Sequence, residues 1–275
     1  MASLPILMYG TAWKEEATRS LTLLALRAGF RAIDTANQRR HYFEEGVGEA
    51  LQDSYAAGLV QREELFLQTK FTHAAGQDHR LPYDPSAPLS LQVEQSLQSS
   101  LTHLHTDYLD SYVLHGPSRQ RGWGEEDREV WTAMERAVAA GKARAIGVSN
   151  VSLEQLQALC TYASVQPSFV QNRCYARTGW DHAVRDFCSS HSITYQGFSL
   201  LTANGEILRH PTFRSMVQRT HRTPAQLVFR FARQVGMLPL TGTTQEAHMR
   251  EDLAISDFEL SAEDVAAIES ISAGY

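Results

Sequence analysis

Short apolar runs that fit buried strands alternate along the chain with apolar residues spaced three or four apart, which fit one face of a helix. In the first repeat, a strand and turn over Pro5 to Trp13 precede a helical stripe over 17–28 that Gly29 ends. Further strands are predicted over 31–34, 65–70, 108–114, 143–148, 168–172, 194–198 and 237–240. Further helices are predicted over 44–57, 93–104, 130–138, 153–159, 182–190, 224–234 and after Ser261.

This alternation predicts a fold class. About eight strand–helix units in 275 residues fit a closed (β/α)8 TIM barrel. No Pro/Gly/Ser-rich linker or charge run divides the chain, so we predict a single domain over residues 1–275. An open, doubly wound parallel sheet is the alternative.

Five predicted strands end in polar residues suited to chemistry. In a parallel sheet followed by helices, the carboxyl ends of the strands hold side chains rigidly while facing an open crevice. An acid, an amine, an imidazole and two amides on successive strand ends therefore indicate an enzyme rather than a scaffold. The strand ends are Ile33-Asp34, Thr69-Lys70, Leu114-His115, Val148-Ser149-Asn150 and Val170-Gln171-Asn172.

Composition narrows the class of partner. A net charge of −6 argues against a nucleic-acid surface, which needs clustered Lys and Arg, so a small molecule is expected instead. The three cysteines, Cys160, Cys174 and Cys188, form no C-x-x-C pair and no even disulfide framework, which predicts a reducing compartment. No secretory signal and no run of roughly 20 apolar residues is present, so we expect a soluble, cytoplasmic protein with no membrane partner. We also expect a monomer.

Two familiar kinds of ligand site are missing from the sequence. No G-x-G-x-x-G follows the first strand, so a dinucleotide would have to be held in another way. The histidines away from the strand ends, including His41, His103, His105 and His191, lack metal-ligand spacing. We therefore predict no metal.

An ordered set of short motifs resembles the aldo-keto reductase superfamily. The matching segments are Arg31-Ala-Ile-Asp-Thr-Ala36, Thr69-Lys70, Asp107-Tyr-Leu-Asp110 running into Leu114-His115-Gly-Pro117, Gly147-Val-Ser-Asn150 and Val170-Gln-Asn172. The resemblance implies a barrel that binds an extended nicotinamide cofactor across its carboxyl-end face. It also implies an NAD(P)H-dependent oxidoreductase of the alcohol dehydrogenase or carbonyl reductase type, which reduces aldehydes and ketones to alcohols.

The chemistry of carbonyl reduction explains the catalytic residue types. Hydride addition leaves charge on the carbonyl oxygen, so a proton donor is needed there. The resemblance assigns that role to Tyr42, whose pKa a neighbouring ammonium, Lys70, would lower. Asp34 would pair with the buried Lys70, and His115 would orient the carbonyl.

The position of the tyrosine departs from the family pattern. The family tyrosine usually lies five residues after the aspartate, whereas Tyr42 lies eight after Asp34. Counting back from Val47-Gly48 without a gap places His41 at the catalytic position instead. We prefer Tyr42, because a phenol serves as acid and base across a lysine-tuned range and a loop absorbs insertions easily.

The resemblance also implies cofactor contacts. Ser149, Asn150 and Gln171 would bind the nicotinamide carboxamide, and Phe198 would stack on the ring where most relatives have a tyrosine. The loop amides near Ser199 and Leu201, and those after Thr241, would bind the phosphates. Gly10 and Thr11 complete this part of the predicted cofactor site.

The predicted adenine end differs from the common pattern. Where many relatives show Pro-Lys-Ser and a later arginine, this chain has Pro239-Leu240-Thr241 and His248. The groups left to bind a 2′-phosphate are Thr241, Thr243, Thr244, His248 and Arg250, which predicts weaker or dual cofactor selectivity. Glu251 and Asp252 match an acidic pair near the adenine. We expect NADP(H) to be preferred, with NAD(H) possible.

Substrate identity is the least determined property. Trp13 and Phe71 lie beside the predicted site and are assigned to the substrate. The long loop 72–88 is interpreted as a wall or lid. The long C-terminal loop of many relatives has no counterpart after Ala273-Gly274-Tyr275, which predicts an open pocket and broad carbonyl specificity.

Two alternative functions remain open at this point. A nicotinamide-binding regulatory subunit with little turnover would keep the fold, and the displaced Tyr42 leaves room for it. An aldolase that forms a Schiff base on Lys70 is the second alternative. The aldolase alternative gives no role to Gly147-Val-Ser-Asn150 and Gln171, which match the aldo-keto reductase motifs.

Overall fold

The computed structural model describes residues 4–271, in which eight parallel strands close into one barrel. Neighbouring strands follow the chain order, and the first strand pairs with the last. The strands are β1 (Met8–Gly10), β2 (Ala32–Asp34), β3 (Phe66–Phe71), β4 (Ser111–Leu114), β5 (Ile146–Ser149), β6 (Phe169–Arg173), β7 (Thr194–Phe198) and β8 (Met237–Thr241). The predicted (β/α)8 barrel is confirmed, and the closure from β8 to β1 excludes the open sheet.

Eleven α-helices lie in the described residues. They are α1 (Thr18–Ala28), α2 (Glu44–Ala56), α3 (Leu89–His103), α4 (Glu125–Ala139), α5 (Leu153–Tyr162), α6 (His182–Ser190), α7 (Gly205–Arg209), α8 (Pro211–Thr220), α9 (Pro224–Gln234), α10 (Glu246–Leu253) and α11 (Ala262–Ile271). The helix after each of the first six strands, together with α9 and α11, was predicted. The helices α7, α8 and α10 were not predicted, and they follow β7 and β8, where the cofactor phosphates are expected.

Capping residues set the helix ends as the sequence indicates. Thr223 precedes α9, and its hydroxyl accepts the Gln226 N–H at 3.2 Å while Pro224 occupies the first turn. The α1 helix ends at Gly29, which has a φ of 117°. Glycine adopts this conformation readily, whereas a residue with a side chain would be strained there. These ends fix where the chain enters and leaves each strand.

The alternation of side chains along the strands separates an outer core from the barrel interior. Outward side chains pack under the helices, whereas Met8, Ala32 and Leu238 form a separate apolar cluster inside the barrel. Closer to the carboxyl ends, Gln68 and Gln196 are fully buried. The interior therefore changes from apolar to polar toward the face that carries the predicted site.

Residues 272–275, which include the predicted C-terminal segment Ala273-Gly274-Tyr275, lie outside the described residues. Between residues 4 and 271, no helix has the length and apolar character needed to cross a membrane. The same residues contain no group of three or more His, Cys, Asp or Glu side chains placed to hold a metal ion.

Candidate active site

A cavity of about 790 Å³ opens at the carboxyl ends of the strands. Most of the residues predicted for the site line it: Gly10, Trp13, Asp34, Tyr42, His115, Ser149, Gln171, Phe198, Ser199, Leu201, Thr241, Thr243, His248, Glu251 and Asp252. The structure thus brings together side chains that lie more than 200 residues apart in sequence. Four predicted residues, Thr11, Lys70, Phe71 and Asn150, do not line the cavity.

An ion pair lies beneath the cavity floor. Lys70 Nζ is 2.6 Å from Asp34 Oδ1 and donates to the Thr35 carbonyl at 2.8 Å. Lys70 is completely buried, so desolvation lowers its pKa, while Asp34 opposes that shift. Because Lys70 is fully buried and does not line the cavity, its amine is not presented to a substrate carbonyl, which argues against Schiff-base chemistry.

Tyr42 stands over this pair at the edge of the cavity. Lys70 Nζ lies 5.3 Å from the centre of the Tyr42 ring, and the ring centres of Tyr42 and His115 are 5.9 Å apart. Burial and the negative charge of Asp34 raise the pKa of Tyr42, opposite to the lowering expected from Lys70. The phenol is therefore protonated at neutral pH, which is the form that a proton donor needs.

His41, the alternative to Tyr42, has different surroundings. Its ring centre lies 4.0 Å from that of Trp13, toward the outer part of the cavity. Trp13 lines the cavity, is 69% exposed and has a φ of 62°. Burial, and then the charge of Arg40, lower the pKa of His41. Both residues reach the cavity, but only Tyr42 has ring contacts with Lys70 and His115.

His115 is held from two sides. Its Nδ1 lies 2.7 Å from the Thr72 hydroxyl, and its carbonyl accepts the Asn150 side-chain N–H at 2.8 Å. Burial, and then the charge of Lys70, lower the pKa of His115 to about 3. The imidazole is therefore neutral near pH 7. In this form one ring nitrogen carries a proton and donates, and the other accepts. Thr72 was not identified from the sequence.

Gln171 projects from β6 into the floor of the cavity. Its Nε2 donates to Asp34 Oδ1 at 3.0 Å and to Gln196 Oε1 at 3.0 Å. Ser149 donates its hydroxyl to the Gln171 carbonyl at 2.6 Å. Among the residues that the structure describes, no donor reaches Gln171 Oε1, which leaves it as an acceptor at the cavity floor.

At the far end of the cavity, the Thr241 hydroxyl donates to Asp252 Oδ2 at 2.8 Å. Burial raises the pKa of Asp252 to about 6. Lys14 Nζ donates to the Gly242 carbonyl at 2.8 Å, and no carboxylate in residues 4–271 pairs with it. Burial lowers the pKa of Lys14 to about 8. Lys14 was not predicted from the sequence, although it follows Trp13 directly.

Phe71, predicted as a substrate contact, is fully buried and lies outside the cavity lining. Side chains alternate along β3, so Phe71 points away from the side of Lys70 and packs against Tyr83, with ring centres 5.6 Å apart. The Tyr83 hydroxyl donates to the Thr72 carbonyl at 2.7 Å. Loop 72–88 thus packs against Phe71 on the strand that carries Lys70, and none of its residues lines the cavity.

The other two residues outside the lining support it from behind. The Thr11 hydroxyl is buried and donates to the Asp34 carbonyl at 3.0 Å. Asn150 has a φ of 52°, and its Nδ2 also contacts the Ser149 hydroxyl at 3.2 Å. Both residues therefore hold the backbone that presents Asp34, His115 and Ser149.

Comparisons with known proteins agree on one family. The model of the Aldo/keto reductase family matches residues 8–273. Glyoxal reductase of Bacillus subtilis is 30% identical over 257 residues, covering 94% of this chain and 84% of that protein. Human aldo-keto reductase family 1 member C3 is 29% identical over 298 residues, covering 98% and 88%.

Solved structures show the same similarity. An aldo-keto reductase from Brucella melitensis superposes with a TM-score of 0.82 at 27% identity, covering 98% of this chain and 95% of that one. An aldo-keto reductase complexed with NADPH superposes with a TM-score of 0.82 at 25% identity, covering 99% and 85%.

Proposed function

The chain belongs to the aldo/keto reductase family, whose members reduce carbonyls with NADP(H), and we propose that it reduces aldehydes or ketones to alcohols. The observation that carries the proposal is the grouping of a protonated phenol, a neutral imidazole and a buried ammonium–carboxylate pair at one cavity. These residues are Tyr42, His115, Lys70 and Asp34.

The cavity fits an extended nicotinamide cofactor. Its volume of about 790 Å³ is within the usual range for such ligands. Gln171 Oε1 offers an acceptor at one end. At the other end Lys14 is a buried cation that donates to the carbonyl of the lining residue Gly242 and has no carboxylate partner within residues 4–271. When bound, the cofactor supplies the hydride that is added to the carbonyl carbon.

The residues that would hold the cofactor follow the length of the cavity. Ser149, Asn150 and Gln171 would bind the carboxamide, and Phe198 would stack on the ring. Backbone amides near Ser199, Leu201, Thr241 and Thr243 would bind phosphates, with Gly10 and Thr11 behind them. Glu251 and Asp252 would lie near the adenine, and His248 near a 2′-phosphate.

Proton transfer is assigned to Tyr42. Its O–H bond breaks as hydride reaches the carbonyl carbon, so the carbonyl oxygen gains the proton and the phenolate remains. The Lys70 ammonium stabilises that phenolate, and Asp34 keeps the ammonium charged despite its burial. The neutral His115 donates a ring N–H to the same oxygen, which orients the carbonyl.

We infer a preference for NADPH over NADH. Lys14 places a positive charge next to the Thr241–Thr243 segment, where Leu240 provides none. His248 lines the same end of the cavity. A second phosphate would gain from both groups, since each favours a nearby anion.

The experiment is oxidation of NADPH, and of NADH in parallel, followed by absorbance with aromatic aldehydes, ketones and dicarbonyls such as glyoxal. We compare wild type with Tyr42→Phe and with His41→Gln. Tyr42→Phe should lose about 10²- to 10⁴-fold in kcat while still binding NADPH, because only the proton donor is removed. His41→Gln should lose far less.

The opposite ranking of the two variants would assign proton transfer to His41. Wild-type protein that binds NADPH, measured by fluorescence, and yet reduces nothing in the panel would instead indicate a regulatory subunit. Absence of cofactor binding would overturn the proposal.

A further inference from the structure

Three glutamine side chains fill the barrel interior directly below the cavity. Gln68 on β3, Gln171 on β6 and Gln196 on β7 are each at most 3% exposed. Gln68 Nε2 donates to Asp34 Oδ1 at 2.7 Å and to Gln196 Oε1 at 2.8 Å. Gln196 Nε2 returns a hydrogen bond to Gln68 Oε1 at 3.0 Å. Only Gln171 reaches the cavity.

These bonds fix the direction of each amide. Gln171 Nε2 has two acceptors, Asp34 Oδ1 and Gln196 Oε1, both at 3.0 Å. If the Gln171 amide were rotated by half a turn, its oxygen would face these two acceptors. Gln171 would then have no proton to share with either of them, and the contacts would be repulsive. Rotation of Gln196 is blocked in turn, because its Oε1 accepts from Gln68 as well.

Burying amides in a barrel core is costly unless every polar atom is paired. Apolar side chains fill the layer below, as Met8, Ala32 and Leu238 show. Within residues 4–271, the one amide atom of the group that no donor reaches is Gln171 Oε1, at the cavity floor. Because the other amide atoms are paired with one another and with Asp34, the Gln171 amide has one orientation, in which its Oε1 faces a ligand in the cavity.

We propose that Gln68 and Gln196 are positioning residues, which orient the Gln171 amide so that its Oε1 accepts a carboxamide N–H of the nicotinamide cofactor. The inference rests on the proposed function, because it assumes that the cofactor carboxamide reaches the cavity floor. Gln68 and Gln196 act through Gln171, since neither lines the cavity.

The test compares two cofactors that differ at one group. NADP⁺ has a carboxamide with N–H donors, whereas its 3-acetylpyridine analogue has a methyl ketone and no donor. Wild type should bind NADP⁺ about five- to tenfold more tightly, which corresponds to one net hydrogen bond. The variants are Gln196→Met, the double variant Gln68→Met/Gln196→Met, and Gln196→Asn, which keeps an amide but withdraws it by one methylene. Dissociation constants are measured by calorimetry or intrinsic fluorescence.

The matched control is Gln92→Met, which removes a buried glutamine on α3 that donates to the Pro85 and Ala87 carbonyls outside the barrel. In Gln92→Met, the ratio of the dissociation constants for the two cofactors should equal that of wild type. Thermal unfolding checks that each variant is folded. In the Gln196 variants, where Asp34 Oδ1 is the acceptor left to Gln171 Nε2, we expect the ratio to fall by at least about twofold from the wild-type value.

An unchanged ratio in a folded Gln196→Met or Gln196→Asn variant would overturn the inference. A general loss of packing would weaken both cofactors equally and leave the ratio intact, so that result also counts against it. Failure of wild type to bind either cofactor would instead refute the proposed function.

Discussion

Asp34 and Lys70 form an ion pair that is almost completely buried, with Oδ1 and Nζ 2.6 Å apart and side-chain exposures of 4% and 0%. Removing one partner of such a pair leaves a buried charge without its compensating charge. The pair is therefore a constraint on folding as well as a proposed part of the catalytic site.

Lys70→Met should destabilise the fold by about 3 kcal/mol at pH 7, because it leaves the Asp34 carboxylate buried with only neutral donors. Urea unfolding measures this loss. The double variant Asp34→Asn/Lys70→Met should recover more than half of it, since no charge remains. Equal stability of the single and double variants would show that the buried charge is not the cause.

Thr72→Val should lower kcat/KM for carbonyl reduction by about tenfold, the value of one hydrogen bond that orients a reacting group. The Thr72 hydroxyl lies 2.7 Å from His115 Nδ1. We assign the hydroxyl as the donor, which places the imidazole proton on the other ring nitrogen. Valine removes the hydroxyl at nearly constant volume. Steady-state kinetics provide the measurement.

Thr72→Ser is the control, because it keeps the donor and should restore most of the activity. Both forms should show no ionisation of His115 in the kcat/KM profile between pH 5 and 8, since its pKa is about 3. Loss of activity in Thr72→Ser equal to that in Thr72→Val would assign the effect to packing.

Asp252 should make the fold less stable as pH rises from about 4 to 6. Burial raises its pKa from 3.8 to about 6, so in this window the native state keeps a proton that the unfolded chain releases. Stability is therefore lost with rising pH, by about 2–3 kcal/mol in total. Urea unfolding at several pH values should give a flatter dependence for Asp252→Asn.

Glu251→Gln is the matched control for Asp252→Asn, as it removes one carboxylate from the same helix. Its dependence on pH over this window should resemble that of wild type. A slope in Asp252→Asn as steep as that of wild type would mean that another group titrates there.

The barrel itself was predictable from local patterns. Each predicted strand corresponds to an observed one within a few residues, because buried parallel strands need short apolar runs and their helices need one apolar face. The α10 helix was missed since only Met249 and Asp252 are buried on it, so it has no apolar stripe. The α8 helix begins with Pro211, and a proline at the first helical position is a start signal that the sequence does contain.

The site was only partly predictable, for reasons that differ between residues. Strand ends are fixed by the sheet, so Asp34, His115 and Gln171 could be placed from sequence. The choice between His41 and Tyr42 depends on the path of a loop, which counting cannot supply. Gln68 could have been noticed, because it is a polar residue two positions before Lys70 and on the same face of its strand.

Trp13→Ala should raise KM for aromatic aldehydes about fivefold while changing stability by less than about 0.5 kcal/mol, since the side chain is 69% exposed. Trp13 lines the cavity and its ring contacts His41, so a bulky aromatic substrate would lose a stacking partner. Small dicarbonyls should be unaffected. Trp13→Phe, which keeps a ring, should behave like wild type, and an equal effect on both substrate classes would contradict the assignment.

Lys14→Met should weaken NADPH binding about tenfold at pH 7. It should also make NADPH affinity less dependent on pH above 7. The Lys14 ammonium is buried beside Gly242 without a carboxylate partner in residues 4–271, so an incoming phosphate is its natural counter-ion. Its pKa is about 8, and therefore wild type should lose affinity between pH 7 and 9.5 as the free amine forms. Fluorescence titration at each pH gives the dissociation constants. Lys142→Met, at an exposed lysine, should keep the wild-type profile, whereas the same slope in Lys14→Met would remove Lys14 from the cofactor site.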